Sequence, residues 1–157
     1  MKVNVKKLVI CIVIPLAVGA ASALLTRGAM SEFGMLRQPP LSPPAWLFPV
    51  VWTVLYTLMG ISSYLISESG AAEREKESAL ATYFYQLLVN FLWPIFFFNF
   101  GWYLFSFVWI LLLWGLVWRM IQQFRTINKV AAWLNIPYIV WLTIAAYLNF
   151  GIWWLNK

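Results

Sequence analysis

Five apolar stretches, each near the length needed to cross a bilayer, dominate this chain: residues 8–25, 46–66, 80–98, 102–118 and 130–155. A helix covers the hydrocarbon core with about 20 residues. In hydrocarbon every backbone N–H and C=O must be paired within the protein, which leaves helices or closed barrels. None of the stretches alternates polar with apolar residues, so the sequence predicts an all-α membrane protein: one domain, 1–157, folded as a bundle of five transmembrane helices. Charged residues make up 10% of the chain, against about 25% in an ordinary soluble domain. What lies outside the spans is too short for a separate catalytic domain.

The absences narrow the chemistry. The chain has no histidine, the commonest general base and metal ligand. Its carboxylates (Glu32, Glu68, Glu73, Glu75 and Glu77) all lie between the apolar stretches. Intramembrane charges mark proton relays and ion pathways, and none is seen here. A lone cysteine, Cys11, forms neither an intrachain disulfide nor a zinc site. Hydrolase triads, metal centres, histidine-ligated haem and carboxylate-driven pumps are set aside. The expectation is a protein that binds a flat apolar ligand and requires no cofactor. The net charge of +6 comes from basic residues at span ends rather than from a tract, which reads as membrane anchoring, not nucleic-acid binding.

The connections differ in character. The loop 26–45 is the longest and carries Pro39, Pro40, Pro43 and Pro44; clustered prolines stiffen a chain and prevent helix. Residues 67–78 read as a short charged loop, 99–101 as a tight turn, and 124–129 as the last connection. Pro15, Pro49, Pro94 and Pro137 fall within apolar stretches, either tolerated or bending the helices apart. Lys2, Lys6 and Lys7 before an apolar run, with Ala21-Ser22-Ala23 behind it, also have the form of a signal peptide, but the run is long for one. Gly19 and Ala23 share the small-x-x-x-small spacing of helix contacts.

Residues four apart share a helix face. Phe48, Trp52 and Tyr56 form such a stripe on the second span. Gln86, Asn90, Pro94 and Phe97 do so on the third, and Trp141, Ala145 and Asn149 on the fifth. Each mixes broad aromatic surface with few polar atoms, as ligand pockets do. An unpaired amide in hydrocarbon is costly, so Asn90 and Asn149 should face the interior, either tying helices together or meeting a ligand. Trp46, Trp102, Trp118, Trp153 and Trp154 lie near span ends and suit the interfacial belt.

Residues 37–60 read Arg-Gln-Pro-Pro-Leu-Ser-Pro-Pro-Ala-Trp-Leu-Phe-Pro-Val-Val-Trp-Thr-Val-Leu-Tyr-Thr-Leu-Met-Gly. With Leu134-Asn135-Ile136-Pro137-Tyr138-Ile139-Val140-Trp141 and Gln86 through Pro94, this resembles the translocator protein, or tryptophan-rich sensory protein, family (TspO/MBR), in a bacterial-type member. The resemblance implies a five-helix bundle, often a homodimer, in the cell membrane, with a pocket beneath the first long loop. It implies porphyrins and related tetrapyrroles as ligands (protoporphyrin IX or haem), with aromatic drugs and, in some members, sterols.

On that resemblance the ligand-binding residues are Phe48, Trp52, Tyr56, Asn90, Phe97, Trp141, Ala145 and Asn149, with Pro43 and Pro44 above them. Arg27 and Arg37 are the basic residues placed to meet porphyrin carboxylates. The implied roles are sensing, carriage of tetrapyrroles, and light-dependent porphyrin breakdown. In the last, the pigment supplies the excited state, and Trp52 and Trp141 are oxidisable neighbours rather than acids or bases. The chain departs from the family at Leu41, where many members carry tryptophan, and at Ser106, where an acidic residue is common. The sterol pattern is also missing, since Phe150 and Trp154 stand where it needs a tyrosine and a basic residue.

Basic residues segregate. Lys2, Lys6, Lys7, Arg74, Lys76, Arg119, Arg125 and Lys129 fall on one side, and Arg27, Arg37 and Lys157 on the other. The positive-inside rule then predicts a cytoplasmic N-terminus, with the proline loop and C-terminus outside. Reporters fused to each terminus test this. The expected result is a cytoplasmic signal from the N-terminal fusion and an external signal from the C-terminal one; both signals on one side would exclude five spans in this orientation.

Overall fold

The computed structural model describes residues 2–157. Five helices are long and apolar enough to cross a membrane, and no strand forms among the described residues. The first helix is Val5–Thr26, the second Leu47–Ser67 and the third Glu73–Pro94, which runs on into a π-helical turn, Ile95–Asn99. The fourth is Tyr103–Ile127 and the fifth Ile136–Asn156, preceded by the short helix Lys129–Trp133. The first loop holds a 3-10 turn, Arg27–Ala29, and one helical turn, Met30–Phe33.

Helices outrun the apolar stretches in two places. The third begins at Glu73 inside the expected charged loop, because Glu73 and Glu75 occupy its first turn, where carboxylates complement the helix dipole. Lys76 adds a 2.8 Å ion pair to Glu73. The fourth continues past Arg119 to Ile127 because Val117, Met120, Ile121 and Phe124 keep its buried face in register. The last stretch, expected as one run, breaks before Ile136. There the Asn135 amide donates to Ser62 Oγ (2.7 Å) and to the Ala131 carbonyl (2.9 Å).

Three of the four span prolines sit at helix ends. Pro49 lies in the first turn of the second helix, Pro137 at the start of the fifth, and Pro94 where the third gives way to its π turn. A missing N–H costs nothing in a first turn, so Pro49 and Pro137 are tolerated. Pro15 alone lies mid-helix, and it is buried.

Around the bundle the neighbours run second, first, third, fourth, fifth, and the second also touches the third. The first two helices pack most closely, at Gly60. A Cβ there would run into the Ile12 backbone and lie 2.6 Å from the Cys11 carbonyl oxygen. Gly19 lies against the Tyr56 ring with no room for a side chain. Ala23, its expected companion, is exposed, because the buried face there passes through Ser22 and Thr26 instead. The second and fifth helices, by contrast, make almost no close backbone approach.

At the end of the bundle bearing the N-terminus, Lys7 pairs with Glu68, and the Tyr64 hydroxyl accepts from Asn4 N at 2.9 Å. At the other end the proline loop is tied to the fifth helix. The Asn156 side chain donates to the Arg37 carbonyl and accepts from its N–H, both at 3.0 Å. Tyr147 Oη donates to the Pro40 carbonyl at 2.7 Å. Pro39, buried, covers Gly151 so tightly that no Cβ fits there. Leu41, at the tip, holds φ 66° and is 93% exposed.

The close approach at Gly60 makes a prediction. Gly60→Val should push the first two helices apart and destabilise the protein by about 1–3 kcal/mol, the usual overpacking penalty. Gly115, with open space around it, is the contrast: Gly115→Ala should be neutral or stabilise by about 0.5–1 kcal/mol. Thermal unfolding in detergent reads both, and equal effects would mean that Gly60 is not a packing contact.

Candidate functional site

The second, third and fifth helices are held together across the bundle centre by side chains. A run of hydrogen bonds crosses all three. Tyr56 Oη donates to Asn90 Oδ1 (3.1 Å), and Asn90 Nδ2 donates to Tyr138 Oη (2.6 Å). Tyr138 Oη donates to Gln86 Oε1 (2.7 Å), and Gln86 Nε2 reaches Met59 Sδ (3.8 Å). Every member is buried. All donors point the same way along the chain, the arrangement in which each bond polarises the next.

Aromatic rings close around these bonds. Trp52 stacks on Tyr56 with centroids 5.4 Å apart and meets Tyr138 edge-on at 6.2 Å. Phe48 meets Trp141 edge-on at 5.5 Å. Ala145 is buried one turn beyond Trp141. Phe48, Trp52, Tyr56, Asn90, Trp141 and Ala145 thus come together as the stripes predict.

Asn149 and Phe97 belong to a neighbouring layer. Asn149 Oδ1 accepts from Trp93 Nε1 (3.0 Å), and its Nδ2 donates to the Tyr103 carbonyl (2.8 Å). Phe97 stacks on Trp93 at 5.0 Å and meets Phe33 from the first loop at 5.8 Å. Both asparagines therefore tie helices together. Arg27 and Arg37 are exposed on the loop and form no ion pair with a carboxylate among the described residues. Pro43 is half-buried and Pro44 exposed; the loop proline that seats on the bundle is Pro39.

Tyr138 and Met59 lie outside the sequence-predicted stripes, and Gln86, though on the third-span stripe, was not among the candidate ligand residues. The signal for Gln86 was its place one turn before Asn90. Tyr138 needed the tertiary structure, because its position in Asn-Ile-Pro-Tyr says nothing of where the hydroxyl ends. Trp141 differs from all these groups. It is 7% exposed, and its indole N–H has no acceptor among the described residues.

A cleft of about 270 Å³ opens between the second and fifth helices, walled by residues such as Val51, Leu55, Val140 and Trp141. Pockets for drug-sized ligands measure about 300–1,000 Å³, so the cleft as it stands is slightly small for one.

Five apolar helices around an aromatic and amide interior, beneath a clamped proline loop, define a tryptophan-rich integral membrane protein. The TspO/MBR family model matches residues 11–155, and the chain belongs to that family. It is similar to the tryptophan-rich protein TspO of Chlorobaculum tepidum, with 34% identity over 99% of both chains. The corresponding protein of Archaeoglobus fulgidus is 37% identical over 98% of this chain and 99% of its own. The translocator protein of Ovis aries is 36% identical over 80% of this chain and 75% of its own.

The hydrogen-bonded chain makes a graded prediction. Tyr138→Phe removes a hydroxyl that both donates and accepts, stranding Asn90 and Gln86. It should cost about 1–3 kcal/mol, the penalty for unsatisfied buried groups. Tyr56→Phe removes only the terminal donor and should cost about 0.5–1.5 kcal/mol. Unfolding in detergent ranks them; equal costs would show that the two hydroxyls are not unequal partners.

Proposed function

We propose that this chain is a binding and sensory protein of the membrane, taking porphyrins or related flat apolar ligands into the space between its second, third and fifth helices. One observation carries the reading. The second and fifth of those helices make almost no close backbone approach and are bridged instead by the Phe48–Trp141 and Trp52–Tyr138 ring pairs. Planar aromatic ligands stack on such rings by the same offset and edge-on geometries. The side chains that fill the interior are thus the ones a flat ligand replaces.

On this reading Arg27 and Arg37 remain at the loop, where porphyrin carboxylates would stay near water. The protein sits in a bacterial cell membrane with its N-terminus in the cytoplasm, as the basic residues imply, and pairs with a second copy as its resemblance implies. A second reading, light-dependent porphyrin breakdown, is favoured by the position of Trp141, beside the space and hydrogen-bonded to nothing.

Two variants separate the readings. Ala145→Phe adds bulk beside Trp141 and should weaken binding of protoporphyrin IX by about 1–3 kcal/mol, an overpacking penalty, while the helical circular dichroism is retained. Trp141→Phe keeps an aromatic wall, so it should retain binding of protoporphyrin IX, whose carboxylates stay at the loop, and abolish light-driven loss of the pigment. Tryptophan quenching measures the first and bleaching under illumination the second. Parental affinity in Ala145→Phe would move the site off this face; parental bleaching in Trp141→Phe would leave that tryptophan a lining role only.

A further inference from the structure

The cleft between the second and fifth helices lies where the bundle is open to its surroundings. At one end the short helix Lys129–Trp133 seals it against the second span, through Ser62 Oγ donating to the Ala131 carbonyl (3.0 Å) and Asn135 donating to Ser62. At the other end the proline loop is tied down through Arg37, Pro39 and Pro40. Between these seals the walls are Val51, Val54 and Leu55 on one side and Val140, Trp141 and Ile144 on the other. Val54, Val140 and Ile144 are exposed, which in a five-span membrane protein places them against lipid.

The partition behind the cleft is light. It consists of the Phe48–Trp141 and Trp52–Tyr138 ring pairs; Tyr138 is pinned by Asn90 and Gln86, whereas Phe48 and Trp52 are half-buried and their rings can swing without moving a helix. Parting the first and second helices would instead break the close backbone approach at Gly60. The loop route would break its hydrogen bonds to Tyr147 and Asn156. In the wall itself the indole N–H of Trp141 is buried and lacks an acceptor, and a buried donor without a partner is costly.

We infer that this cleft is a side doorway. An apolar ligand already dissolved in the bilayer and carrying a hydrogen-bond acceptor such as a carbonyl enters between the second and fifth helices, and Trp141 N–H receives that acceptor. The inference rests on the ligand-binding reading above and adds the route and the class of ligand. The loop is then a fixed roof, not the gate.

The test uses the full chain in lipid nanodiscs and a neutral isoquinoline carboxamide, with association and dissociation followed by stopped-flow fluorescence. Val54→Trp combined with Ile144→Trp fills the doorway with apolar bulk on lipid-facing positions. It should slow association by about tenfold or more, within the range over which interface variants shift on-rates, with dissociation slowed alongside. Tyr147→Phe combined with Asn156→Ala frees the loop and should leave both rates near parental. Trp141→Phe should weaken the carboxamide more than an analogue whose carbonyl is reduced to methylene.

Parental rates in the doorway variant, or faster association in the loop variant, would overturn the doorway. Equal loss of both probes in Trp141→Phe would overturn the role of its N–H. No saturable binding by the parent would sink the ligand reading itself, and the doorway with it.

Discussion

In hydrocarbon a polar atom has no water to turn to, so a buried donor or acceptor is costly unless it finds a partner within the protein. The chain from Tyr56 through Asn90 and Tyr138 to Gln86 is where this demand is met across helices. The same demand acts at Asn149, held by Trp93 and Tyr103, and at the Asn135 amide nitrogen, which donates to Ser62 and Ala131. These three clusters lie at different levels of the bundle and join residues far apart in the chain. Apolar side chains give little drive for helices to associate when lipid is equally apolar, so such polar ties set which helix faces which.

Bridging by side chains rather than backbones has a functional consequence. Where Gly60 lets the first two helices touch, nothing can enter without separating main chains. Where Trp52, Tyr138, Phe48 and Trp141 span the distance between the second and fifth, side chains rather than main chains fill the gap. The bundle is thus rigid on one side and adaptable on the other. The loop and the short helix Lys129–Trp133 close the two ends of the adaptable side. The tryptophans divide along the same line. Trp46, Trp102, Trp118 and Trp154 are exposed, as an interfacial belt requires, and Lys157 lies 3.4 Å from the Trp154 ring centroid. Trp52 and Trp141 work inside.

Much was legible before folding. Span number and helical class followed from apolar runs of bilayer length, because backbone pairing in hydrocarbon allows few solutions. The stripes Phe48-Trp52-Tyr56 and Trp141-Ala145 followed from helical periodicity alone. Helix ends were less legible. Glu73 starts a helix because its charge suits the dipole, and Ile127 ends one because the buried face persists beyond the apolar run; hydropathy measures neither.

The sequence by itself determined that five helices cross the membrane and which face of the second, third and fifth carries aromatic and amide groups, since both depend on local composition and spacing. Only the tertiary structure decided which of those groups satisfy one another. Asn90 finds tyrosines 34 residues before it and 48 after it, and periodicity within one helix holds no information about the rotation of another. The same holds for Trp141, whose N–H is left without an acceptor. Whether an acceptor comes within reach of that N–H is set by packing between elements far apart in the chain, which no local spacing encodes.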